Sequence, residues 1–65
     1  MENCYIFEDE NIGVIGVMAY TEDGARYILS HDTNANAQTA ILLDCVSEDD
    51  EFFDDMLDSY GGDVL

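Results

Sequence analysis

The residues of this chain equipped to do chemistry are sixteen Asp and Glu, one His and two Cys, with one Arg as the single strong base. Ser30, His31 and Asp32 supply the residue types of a nucleophilic triad. As neighbours on a strand, however, they point to alternate faces and do not converge. Crowded, solvated carboxylates also lack the pocket that separates two pKa values into acid and base roles. The oxygen-rich stretches "EDEN" (8–11) and "SEDDE" (47–51) suggest a cation loop, but counting back from Gly13 puts Ile12 where an EF-hand needs a ligand. Cys4 and Cys45 stand alone, without metal-ligand spacing. The expectation is a protein that is not an enzyme and holds no cofactor and no metal. Its cysteines are expected to be reduced, although the sequence also permits a Cys4–Cys45 disulfide.

What the chain has in abundance is negative charge. Its formal net charge is −15, and Arg26 is the only Lys or Arg. So lopsided a balance makes the molecule repel itself. It also excludes direct binding to nucleic acid, which requires Lys and Arg to displace counterions from phosphates. Disorder is the other common fate of acidic chains, but it requires low hydrophobicity, and 48% of these residues are apolar. A single small acidic domain over residues 1–65 is therefore expected. A core of this size leaves little surplus over chain entropy, which favours a homodimer. The start of the chain has no basic region followed by a long apolar run, and no stretch reaches the length of a membrane span. The expected setting is cytoplasmic, with no membrane partner.

The elements that must position these charges are short. "CYIF" (4–7) is an apolar run closed by "EDEN". "IGVIGVMAY" (12–20) is rich in β-formers and apolar on both faces, so both faces should be covered. "TEDG" reads as a turn and "ARYILSH" as the returning arm, giving a β-hairpin over 12–31. The stretch 34–46 fits a strand or a helix. The strand reading is cleaner, because from Thr39 onward it gathers Ile41, Leu43 and Cys45 on one face. Together these predict an α+β fold: a small antiparallel sheet, hairpin 12–31 plus flanking strands, with an acidic amphipathic C-terminal helix at 48–60.

That helix carries the functional argument. Ser47 is a good N-cap with Asp50 in capping-box position, and Gly61 and Gly62 end the run. At 100° per residue, Phe52, Phe53, Met56, Leu57 and Tyr60 share one arc of about 140°, and Glu48, Asp50, Glu51, Asp54, Asp55 and Asp58 take the other side. From Glu48 to Asp58 a helix rises about 16 Å, so its seven carboxylates, Asp49 included, would fall about every 2.4 Å, against about 1.7 Å per charge in duplex DNA. Like charges at i, i+4 weaken a helix by a few tenths of a kcal/mol per pair. A solvated helix face has no need of this density. Salt adaptation would spread the acids evenly, whereas nine of the sixteen lie between Asp44 and Asp63.

In its layout, "DGARYILS" after an apolar strand and then the acidic "EDDEFFDDM", the chain from Asp23 to Met56 resembles small phage-encoded acidic DNA mimics of the anti-CRISPR and anti-restriction type. It differs from the type II anti-CRISPR layout in lacking an additional N-terminal helix and in a shorter segment before the last helix. The resemblance implies an inhibitor that occupies the basic DNA groove of a nuclease or repair enzyme in a bacterial host cell. The contact set would be Glu48, Asp50, Glu51, Asp54, Asp55 and Asp58, joined by Glu22 and Asp23 or by Glu8, Asp9 and Glu10. Selectivity would come from apolar side chains among the acids, with Tyr5, Tyr20, Tyr27 and Tyr60 as candidates. The alternative is an acidic module that docks on a basic regulatory or assembly protein without displacing DNA.

Overall fold

Cys4, Tyr5, Ile6 and Phe7 are consecutive apolar residues, and a strand sends them alternately to opposite faces, so the strand that carries them must be covered on both. A computed structural model, which describes residues 2–65, meets this requirement with an α+β fold of a four-stranded mixed sheet and two helices. The sheet order is β3-β1-β2-β4, built from β1 (Asn3–Asp9), β2 (Gly13–Ala19), β3 (Ile41–Ser47) and the short β4 (Asp63–Val64). β1 pairs antiparallel with both β2 and β3, while β4 joins β2 in parallel.

Tyr5 and Phe7 face helix α1 (Glu22–Asp32), packing with Val17, Ala19, Ala25 and Leu29. Cys4 and Ile6 face helix α2 (Phe53–Tyr60), packing with Val46, Met18, Phe53 and Met56. The two-sided placement follows from topology. From β2 the chain crosses by α1 to β3 at one edge, and from β3 it crosses back by α2 to β4 at the other. Two crossings in opposite directions share one hand only if they use opposite faces. The second apolar face of β2 is thus covered by α2 of the same chain, so it does not call for a second copy.

The hairpin expected over 12–31 is replaced by two other elements. β2 pairs with β1 through a tight connection closed by Gly13 at φ 80°, and "TEDGARYILSHD" begins a helix. Thr21 is its N-cap, accepting from Gly24 N (3.1 Å), and Glu22 and Asp23 lie in the first turn where the helix dipole favours anions. Ala25, Ile28 and Leu29 have the i, i+3, i+4 spacing of a packing face, and all three join the α1 core.

The segment 34–46 resolves into a loop and β3. The strand is as preferred, but the packing face is not the expected one: Ile41, Leu43 and Cys45 are exposed, while Leu42 packs under α1 and Val46 under α2. A register shift between Ile6 and Phe7 leaves Leu43 unpaired and breaks the period-2 alternation. At the far end of α2, Gly61 takes φ 70° as C-cap, and a Cβ at Gly62 would overlap the Val14 carbonyl oxygen where the chain turns into β4.

Candidate functional site

The C-terminal helix is shorter than 48–60. It begins at Phe53, and its N-cap, Phe52, makes no side-chain capping bond. Ser47 and Asp50 spend their side chains on local turns: Ser47 Oγ accepts from Asp49 N (3.3 Å) and Asp50 Oδ1 from Phe52 N (2.9 Å). These local bonds compete with helix initiation and give two successive turns. The result also keeps Glu48, Asp49, Asp50 and Glu51 out of a helix in which they would repel Asp54 and Asp55. The seven carboxylates therefore do not form one linear helical ridge.

They are gathered differently. Asn3 of β1 lies between Ala19 of β2 and Ser47 of β3, so the chain leaves both strands at the same end of the sheet. Those strand ends are two spacings, about 10 Å, apart. Glu22 and Asp23 open α1 there, Glu48, Asp49, Asp50 and Glu51 form the turns, and Asp54 and Asp55 open α2. With Glu2, nine of the sixteen acids lie at this end, eight of them exposed. Both helix N-termini sit among them and supply the partial positive charge that makes the crowding tolerable. Asp58 lies one turn further along α2, also exposed.

Glu8, Asp9 and Glu10 are at the opposite end, about 20 Å away along a seven-residue strand. Only Glu8 and Glu10 are exposed. Asp9 is 4% exposed and belongs to the fold: Oδ2 accepts from Asn11 N (2.8 Å) and Oδ1 from Asn36 N (3.2 Å), tying the hairpin to the loop before β3. It is not available to a partner.

The one strong cation is turned inward. Arg26 Nη1 donates to the carbonyls of Ala37 (2.6 Å) and Ala40 (2.9 Å), Nε donates to Glu22 (3.0 Å), and the guanidinium lies 5.1 Å from the Phe7 ring centre. Ser30, His31 and Asp32 are on the last turn of α1, not on a strand. His31 stacks on Tyr27 and approaches Asp32, while the Ser30 hydroxyl donates to Tyr27 O, so the three make no relay.

Cys4 and Cys45 are free and face opposite sides of the sheet, Cys4 beside Val46 and Cys45 beside Tyr5. Burial pushes the Cys4 thiol pKa up, with a smaller push from Cys45 and a partial offset from a backbone hydrogen bond with Val17. Tyr60 donates to Asp44 Oδ2 (3.0 Å), and this bond is the main reason its phenol pKa is raised.

Of the tyrosines weighed as selectivity elements, Tyr5 is core, its hydroxyl reaching Tyr20 O, and Tyr60, the last residue of α2, packs against the Cys4, Ile6 and Val46 cluster. Tyr20 is 69% exposed, and it follows Ala19 directly at the acidic end. Sequence reasoning missed Phe52, which the helical wheel put on the packing face. It is 57% exposed among Glu51, Asp54 and Asp55. The available signal was "FF" itself: a helix beginning one residue later needs only the second Phe for its core. Among the described residues no helix is long and apolar enough to cross a membrane. The chain matches no protein-family model, no curated protein and no solved structure.

Proposed function

We propose that this protein is an acidic DNA mimic that binds the basic nucleic-acid groove of a DNA-processing enzyme and inhibits it by competition, in the manner of phage anti-CRISPR or anti-restriction proteins. It is a binding protein and not an enzyme, and it acts inside the bacterial host cell to blunt its defences. One observation carries the reading: nine carboxylates share one end of the sheet with two exposed aromatic residues, Phe52 and Tyr20, and the chain's one Arg is spent on its own carbonyls. The carboxylates would take the place of phosphates against Lys and Arg, giving fast, salt-sensitive association. The aromatics would supply the desolvated anchors that separate one basic groove from another.

A second reading has an observation of its own. Glu8 and Glu10 lie about 20 Å from the main acidic end, so a partner held at one end leaves the other free. That arrangement suits an acidic module that docks on a basic protein without excluding its DNA. The test is capture of partners from a bacterial lysate at moderate salt, followed by a challenge with duplex DNA. Release of a DNA-binding enzyme by the duplex supports mimicry. A captured protein that holds DNA and this chain together refutes it in favour of docking.

A further inference from the structure

At the end of the sheet remote from the acidic turns, a cleft of about 390 Å³ opens between the β1–β2 hairpin and the start of β3. It lies at the lower end of the size range of small-ligand sites. Val14 and Ile41 give it an apolar patch: Val14 is partly buried, and Ile41, at 58% exposed, is the most exposed large aliphatic residue among the described residues. Glu8 and Glu10 line it with exposed carboxylates, and Thr39 adds a hydroxyl. Asp9 also contributes, but its oxygens are already bonded to Asn11 and Asn36, which makes the hairpin wall of the cleft rigid.

An exposed isoleucine beside two free carboxylates in a concavity fits an occupant that is aliphatic along its length and cationic at its tip. We infer that this cleft receives an arginine side chain of a partner protein, its methylenes against Val14 and Ile41 and its guanidinium shared by Glu8 and Glu10. Arginine suits the site better than lysine because its fork of donors can serve two carboxylates at once. A second copy of this chain is a poor source, since each copy has one Arg and uses it internally. That the arginine comes from a partner protein rests on the basic-partner reading above; that the cleft binds arginine does not.

The experiment uses the whole 65-residue chain, labelled for amide and methyl NMR and titrated at low salt with N-acetyl-arginine methylamide. The expected result is saturable shifts at the Ile41 and Val14 methyls and the Gly13 amide, with a millimolar dissociation constant. The citrulline analogue, equal in shape but neutral, should give no saturation. E8Q/E10Q, altered at two exposed positions, should keep the wild-type spectrum and bind about tenfold more weakly, and Ile41→Thr should weaken binding while leaving both acids in place. Shifts that stay linear, that centre on residues 48–55, or that persist at full strength in E8Q/E10Q would overturn the assignment. If arginine saturates the cleft but no DNA-binding enzyme is displaced by duplex, mimicry fails and the cleft stands. The reverse pair of results removes the cleft and leaves mimicry intact.

Discussion

Replacing Arg26 by Ala is expected to cost a large share of the stability of this fold. The guanidinium makes two hydrogen bonds to loop carbonyls, Ala37 O and Ala40 O. A bond to a charged group contributes about 1.5–3 kcal/mol, and the cation over Phe7 adds about 0.5–2 kcal/mol. The Glu22 pair is well exposed at i, i+4 and adds only a few tenths of a kcal/mol. Water will partly re-satisfy the two carbonyls, which brings the expected loss to about 3–5 kcal/mol. A 65-residue domain has about 3–10 kcal/mol in total, so Arg26→Ala should remove from about a third to all of it. Arg26→Lys keeps a charge but reaches one carbonyl, and is expected to cost about 1–2 kcal/mol. Urea denaturation followed by circular dichroism measures both. Net charge offers a rival explanation, since the substitution also removes the only strong cation. In about 1 M salt, where the Debye length is about 3 Å, a charge effect should vanish while loss of the carbonyl bonds should persist. A cost for Arg26→Ala below about 1 kcal/mol, or one abolished by salt, would show that the carbonyl bonds do not hold the loop.

Three further outcomes are expected. The triple change Asp50→Asn, Asp54→Asn, Asp58→Asn should leave the fold intact and raise its melting temperature slightly, because Asp54 and Asp58 repel at i, i+4, while partner binding falls at least tenfold in a pull-down titration. Phe52→Ser should leave urea stability within about 0.5 kcal/mol, because the ring is largely in solvent, and weaken partner binding by about 2 kcal/mol if Phe52 is an anchor; calorimetry on the captured complex measures the loss. Stability should decline as pH rises beyond the ordinary thiol value of 9.0 and the ordinary phenol value of 10.0. Cys4 and Tyr60 are both raised in the fold, so in that window the unfolded chain holds fewer protons than the folded one and unfolding is favoured. Urea midpoints at neutral and alkaline pH should show that fall, and a midpoint that rises instead would contradict it.

How far the sequence reaches depends on the element. The α+β class, the strand within 12–20 and the helix ending at Gly61 follow from period and caps that the fold retains. "TEDG" did not decide between a hairpin turn and a helix start, since Thr-x-x-Gly with two acids serves both. What decides is that β1, read only as a short apolar run, claims the hairpin position beside β2. Once that edge is taken, Ala25, Ile28 and Leu29 have a sheet face to cover and become helical. The buried face of β3 was inverted because an unpaired Leu43 breaks the alternation, and nothing local marks a bulge in "AILLDCV". At the acidic end the residues were legible and their arrangement was not. A helical ridge and a pair of turns expose nearly the same carboxylates, but only the turns free Phe52. Asp9 shows the opposite error: a carboxylate in an acidic run is a surface group by composition, yet two backbone donors fix it inside.

The most direct test of DNA mimicry is equilibrium competition between this protein and duplex DNA for the enzyme it captures, measured by fluorescence anisotropy of labelled DNA across a salt series. Mimicry predicts full displacement of the DNA at one protein per groove, with the apparent affinity falling steeply as salt rises. A ternary complex whose DNA anisotropy stays high at saturating protein would contradict it.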